Sequence, residues 1–441
     1  MDYLLSLLNI DWSFIDRIGD NPFLAMGFFL ANGGWVVLLV VMAWGATRLW
    51  LEWRQTLYHL KRTFVVLAVS IPRMTEQGPR AVDNMFAYLA GAHGGNSWLD
   101  TWWQGRTQDT ISCEIVSIDG HIRFIIRTTR TLRDLVESAI YGQYPDAEIA
   151  EVEDYAAMVP RHYPDEEWDV WGTEVIPVKD DVYPLKTYPF FEDKVSMEFK
   201  DPLSTMFESL ARLGPGEQAW FQIVLTPISQ GDYIKKATAA IKKLTGQKVE
   251  AKKTFLDKAA DIPLATAGAF FDAVMSSGDA TAKKDMKGPD FRMLSLTPGE
   301  RDVVAGMENK MSKLVYKTKL RFVYVARKEV KMNSRIVQPF FGSIKQFNTN
   351  AMQSLKPELS KIGISGSLIF FKTSRNNARK TRLISAYRNR SNWVGYPAYH
   401  MCTEELASLW HFPHSLQVKS PQLKKTQAKR SEPPANIPFA I

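Results

Sequence analysis

Cysteine is nearly absent from this 441-residue chain: Cys113 and Cys402 are the only two. Two cysteines build no disulfide framework, and without a paired C-x-x-C there is no cysteine zinc site. Nucleotide-binding and hydrolytic signatures are missing as well. No G-x-x-x-x-G-K-[ST] occurs, so the chain has no phosphate-cradling loop of that kind. The nearest fragment, "LTGQK" at 244–248, lacks the first glycine and the hydroxyl residue. Neither H-E-x-x-H nor G-x-S-x-G is found. Two stretches lack charge of one sign or both. No charged residue lies between Asn21 and Thr47, and no acidic residue lies between Ser360 and Thr403.

What is present fits globular protein. Hydrophobic residues make up 45% and charged residues 23%, which excludes wholesale disorder. The length allows two or three domains, each with its own core. The formal net charge of +8 favours an acidic partner: nucleic acid, anionic lipid or an acidic protein face.

The charge-free N-terminal stretch, "FLAMGFFLANGGWVVLLVVMAWGA", predicts a transmembrane helix over 21–50. It is long enough to cross a hydrocarbon core of roughly 30 Å at about 1.5 Å per residue. Trp50 and Trp53 lie at its far end, where an aromatic belt belongs. A cleaved signal peptide fits poorly, because the run is too long and has no basic n-region before it. Asp2, Asp11, Asp16, Arg17 and Asp20 precede it, while Arg48, Arg54, Lys61, Arg62 and Arg73 follow it. That asymmetry predicts a single pass through the cytoplasmic (inner) membrane, residues 1–20 outside and the body in the cytoplasm.

The body alternates strand and helix patterns. "FVVLAVSIP" reads as a strand and "TEQGPRAVDNMFAYLAGA" as a helix. "TISCEIVSIDGHIRFIIRT" reads as a hairpin turning at Asp119-Gly120. "TLRDLVESAIYGQYP" follows as a helix and "DAEIAEVEDY" as a strand. This grammar predicts an α+β fold of split β-α-β-like (ferredoxin-like) antiparallel sheet domains, with helices on one face. The expected layout is a first α+β domain over 63–230, a lysine-rich helix and linker over 231–290, and a second α+β domain over 291–415. A basic, proline-rich tail over 416–441 completes it. "TPGE" at 297–300 is a capping box opening the second half. "TKLRFVYVARKE" and "GSLIFFKTS" read as strands, and "SRIVQPFFGSIKQFN" and "TEELASLWHF" as helices.

Candidate sites are few. His400, Cys402, His411 and His414 are metal-binding residue types, but Pro413 interrupts the helix that would align them, so no metal is expected. Asp165, Glu166 and Glu167 read as a solvated loop rather than an acid–base pair. The acid-free segment carries more weight. Lys372, Arg375, Arg379, Lys380, Arg382, Arg388 and Arg390 fall there, with Tyr387, Trp393, Tyr396 and Tyr399 nearby. Basic groups neutralise phosphates and aromatics stack on bases. The same pattern also suits anionic lipid or an acidic protein face.

Several stretches together carry a family resemblance. They include "WWQGRTQDTISCEIVSIDGHIRFIIRT", "LVESAIYGQYPDAEIAEVEDY", "DPLSTMFESLARLGPGEQAWFQIVLTPI", "MLSLTPGERDVVAGMENKMSK", "FGSIKQFNTNAMQSLKPE" and "TEELASLWHFPHSLQVKSPQLKKTQAKRSEPPANIP". In this order they resemble the N-terminal, non-motor region of membrane-anchored type IV secretion or conjugation ATPases of the HerA/FtsK-like motor family. In fused relatives a segment resembling "AKRSEPPANIP" leads into the motor. The resemblance therefore implies a non-enzymatic, cofactor-free subunit that forms homo-oligomers and works with a HerA/FtsK-like ATPase in trans. Lys424, Lys425, Lys429, Arg430, Pro433 and Pro434 would form its docking tail. The alternative expectation is a stand-alone, membrane-tethered nucleic-acid-binding protein using 361–390.

Overall fold

The computed structural model describes residues 23, 26–27, 30, 34–72, 77–192, 200–245, 297–364 and 370–413. Two compact units emerge: one holds the N-terminal helix with Gly94–Gln108, the other holds Phe64–His93 and the chain from Asp109 onward.

In the first unit, α1 (Trp35–Leu60) runs 26 residues. It is long and apolar enough to cross a membrane, with a mean hydropathy of 1.4 and none of its apolar window buried. The helix outruns the expected boundary at residue 50. Beyond the apolar run, "TRLWLEWRQTLYHL" still carries good helix formers such as Leu, Arg, Glu and Gln.

The second unit is built on a nine-stranded antiparallel sheet flanked by helices. Its first part is β1 (Phe64–Ser70), α2 (Pro79–Leu89), β2 (Ile111–Ile118), β3 (His121–Thr129), α3 (Arg133–Tyr141) and β4 (Glu148–Glu151). Asp119 and Gly120 turn the β2–β3 hairpin with φ of 50° and 82°, the paired positive angles that this dipeptide tolerates. The second part is β5 (Trp168–Pro177), α4 (Ser204–Ala211), β6 (Glu217–Pro227), α5 (Gln230–Leu244), α6 (Pro298–Ser312), β7 (Val315–Arg327), α7 (Asn333–Lys345) and β8 (Leu355–Glu358). Then come α8 (Lys372–Arg388), β9 (Tyr399–Cys402) and α9 (Thr403–Leu409).

The strand order β4-β1-β3-β2-β6-β7-β5-β8 has an internal symmetry. Read from its outer edge, the first half is fourth, first, third, second. From the other edge, β8-β5-β7-β6 repeats that order. Each half is a split β-α-β unit, and the two join where β2 pairs antiparallel with β6. The sheet therefore runs unbroken through the segments that the sequence divides at 231–290. β9 pairs with the start of β7, from Val315 to Thr318.

Alternation sorts side chains to two faces. Phe221 on β6 and Phe322 on β7 join the larger core with Phe86 of α2, Phe207 of α4, Phe340 of α7 and Leu406 of α9. Phe322 stacks on Phe340 at 3.7 Å between ring centroids. Trp220, Val323 and Val325 point the other way and meet Leu383, Ile384 and Tyr387 of α8. Helices thus cover both faces rather than one. Lys372, Thr373 and Ser374, expected at the end of a strand, form the first turn of α8 instead; residues 366–369 of that expected strand lie outside the described residues.

Candidate functional site: a buried charged row beneath the basic helix

Four central strands each carry a buried charged or amide residue on the face under α8. Register brings them into line. Glu114 of β2 lies opposite Gln222 of β6, Gln222 opposite Arg321 of β7, and Arg321 opposite Glu174 of β5. Glu358 of β8 extends the row opposite Glu174. All five are buried, at 3% exposure or less.

Burial of such groups demands partners, and the row supplies them. Glu114 accepts from Ser112 at 2.6 Å, Tyr155 at 2.7 Å and Gln222 at 2.9 Å. Arg390 grips it with two further hydrogen bonds and also reaches Asp154. Tyr155 and Tyr387 share a hydroxyl contact at 2.6 Å. Arg321 donates to Gln222 at 3.2 Å, to Glu174 at 3.1 Å, and to the Ser391 carbonyl. Lys319 donates to Glu174 at 3.3 Å and to the Val394 carbonyl. The Tyr396 amide donates to Glu174 at 2.5 Å. Three carboxylates (Glu114, Asp154, Glu174) thus meet three bases (Lys319, Arg321, Arg390) in direct contact.

The electrostatics follow from burial and pairing. Burial alone would raise the Glu114 pKa, but Arg390 and the hydrogen bonds hold it below the ordinary carboxylate range. Burial lowers Lys319 to about 8, outweighing the pull of Glu174. Glu358 is brought down to about 2: burial opposes this, but the Ser360 hydroxyl and the amides of Ile362, Lys361 and Ser360 prevail. Chemically, the row is a lock. It ties α8 and the loop after it to four strands.

The basic residues expected to form a contact surface divide into two groups. Arg390 is 2% exposed and belongs to the row. Lys380 pairs with Asp169 at 2.6 Å, beside Lys331 at 2.7 Å. Arg379 donates to the Leu359 and Gly363 carbonyls, each at 2.9 Å, and Arg388 to the Val159 carbonyl at 3.1 Å. Lys372, Arg375 and Arg382 remain exposed. The tail residues Lys424, Lys425, Lys429, Arg430, Pro433 and Pro434 lie outside the described residues.

A second buried pair lies at β9 and α9. Lys310 of α6 meets Glu405 at 2.9 Å and donates to the Asp181 and His400 carbonyls. The His400 ring bonds Asp181 at 2.7 Å, and the His411 ring bonds the Ala407 carbonyl and Asp201. Burial pushes the Cys402 thiol up. Among the described residues, no three His, Cys, Asp or Glu side chains gather as a metal site; His414 lies outside them. Asp165 caps its own turn, accepting from the Glu167 and Trp168 amides.

Two cavities of about 370 and 360 Å³ open on this unit. The first lies against β1, β3 and β4 and includes Arg123 and Glu148 in its lining. The second lies between Tyr183, Leu244 and the start of α6.

Sequence reading missed Glu114, Glu174, Gln222 and Arg321. The signal was there: "ISCEIVSI", "GTEVIP", "AWFQIVL" and "KLRFVYV" each place a charged or amide residue next to apolar ones in a strand pattern. No curated protein matches the chain. A family model described as a domain of unknown function (DUF8128) matches residues 67–425, from within β1 to beyond α9, and the chain belongs to that family.

Proposed function

We propose that this chain is a non-enzymatic, membrane-anchored subunit of a type IV secretion-like or conjugal DNA-transfer machine. Its N-terminus faces outward and its body lies in the cytoplasm. It assembles with copies of itself and partners a HerA/FtsK-like ATPase. The observation that carries this reading is α1, a 26-residue helix whose apolar window is wholly unburied, preceding a body rich in internally paired charge. The resemblance along the body supplies the machine and the motor.

Edge chemistry narrows how copies meet. β4 is four residues long and carries Glu148 and Glu151; β8 is equally short and contains Pro357. Short, charged or proline-bearing edges resist strand addition. Contacts between copies therefore fall on helix and loop surfaces.

The test is an affinity pull-down of detergent-solubilised full-length protein from its native host, with a chain truncated after Leu416 as control. A HerA/FtsK-like ATPase recovered with the full-length bait alone assigns docking to the tail. Recovery with both moves docking to the sheet unit. A strictly monomeric bait that brings down no such ATPase would sink the proposal. One observation favours the nucleic-acid reading: Lys372, Arg375 and Arg382 stay exposed on an acid-free helix.

A further inference from the structure

The segment Gly94–Gln108 departs from the sheet unit between α2 and β2 and joins α1 in the first unit. It docks where the apolar run of α1 meets its first charges. The Trp50 indole donates to the Trp102 carbonyl at 3.2 Å, and Arg54 donates to the Trp103 carbonyl at 2.6 Å. Arg62 donates to the Thr107 carbonyl at 2.6 Å. Gly105, at φ 72°, lies so close to the Arg54 backbone that an added Cβ would collide with it. Nothing larger fits that return turn.

This docking gathers rings at one level. Trp50 lies 5.3 Å from Trp53 and 6.2 Å from Trp103, and Trp98 lies 6.2 Å from Trp102. Arg54 sits over both Trp50 and Trp53 at 5.8 Å. Yet the outer members are left uncovered: Trp98 is 70% exposed, Leu99 64% and Trp103 68%. The end of α1 and the docked segment carry five bases (Arg48, Arg54, Lys61, Arg62, Arg106) against two acids (Glu52, Asp100).

Indole rings with an apolar body and a polar N–H belong at the headgroup level of a bilayer. Nearby Arg and Lys favour anionic headgroups there. We propose that Gly94–Gln108 is a second membrane contact. Trp98, Leu99 and Trp103 enter the headgroup layer of an anionic bilayer beside the end of α1. The occupant is the lipid that already surrounds α1, so this rests on the membrane reading given above.

The test uses the full-length chain in vesicles of phosphatidylcholine and phosphatidylglycerol. Trp98→Cys is labelled with bimane, and Glu329→Cys, in the exposed turn after β7, is the control; Cys113 and Cys402 are buried. Lipids carrying a shallow nitroxide quencher should reduce emission from position 98 and leave position 329 unchanged. Adding Gly105→Val should abolish the quenching at 98 while the chain still resists carbonate extraction. No more quenching at 98 than at 329 in a carbonate-resistant chain overturns the second contact alone. Release of the chain by carbonate overturns the second contact and the span together.

Discussion

Arg390 holds Glu114 through two parallel hydrogen bonds, 2.9 Å from Nε and 3.1 Å from Nη2, across 276 residues of chain. Arg390 adopts a φ of 48°, a left-handed conformation that costs a non-glycine residue about 1–2 kcal/mol. The grip on Glu114 and Asp154 offsets that cost. Arg390→Met leaves Glu114 buried without its countercharge and should destabilise the protein by roughly 3–5 kcal/mol. Glu114→Leu combined with Arg390→Met should lose less than the two singles summed. Urea unfolding of the full-length chain in detergent measures all three. Additive losses would show that the pair is not coupled.

Lys319 gives a basic-side signature. Its folded pKa of about 8 lies below that of an unfolded lysine. Between pH 8 and the unfolded value of about 10.4, the unfolded chain binds more protons, so stability from this group rises with pH. The rise is at most roughly 3 kcal/mol. Lys319→Met should flatten that part of the stability profile. An identical profile in the variant would rule out a depressed lysine.

Glu358 gives the acidic counterpart. Its folded pKa of about 2 lies below the unfolded value. Its contribution is fully present above about pH 4.3 and is lost as pH falls through the folded value. Glu358→Gln should therefore cost about 2–3 kcal/mol at neutral pH, and the gap to wild type should close near pH 2. A gap independent of pH would assign the loss to packing.

The basic helix should split under charge reversal. Glutamate at Lys372, Arg375 and Arg382, all exposed, should shift stability by no more than about 0.5 kcal/mol each. Glutamate at Lys380 faces Asp169 and should cost about 1–3 kcal/mol. Thermal unfolding separates the two sets. Filter binding to single-stranded DNA across a salt series then tests the nucleic-acid reading. Steeply salt-dependent binding that the triple exposed variant loses would favour that reading over the assembly role.

Much of the fold was legible because local signals agreed. Asp119-Gly120 gave the hairpin, and the Thr297–Glu300 capping box opens α6 with both reciprocal hydrogen bonds in place. β5 was not legible: "WDVWGTEVIP" mixes glycine, proline and two acids, and only its neighbours β7 and β8 make it a strand. The basic segment misled for a related reason. Its acid-free sequence suggests an open surface, but Asp169, Asp154 and Glu114 come from remote strands and loops. Composition along the chain does not reveal charge pairing across 211 or 276 residues. The docking of Gly94–Gln108 on α1 was hidden similarly, since it rests mainly on backbone carbonyls that no motif records.

Membrane tethering by α1 underlies the proposed role, and protease protection after carbonate extraction measures it most directly. The full-length chain should stay in the carbonate pellet. Protease should digest its body in inverted inner-membrane vesicles and spare it in right-side-out ones. Release by carbonate, or a mature chain that has lost α1 to cleavage, would contradict the anchored, inward-facing arrangement.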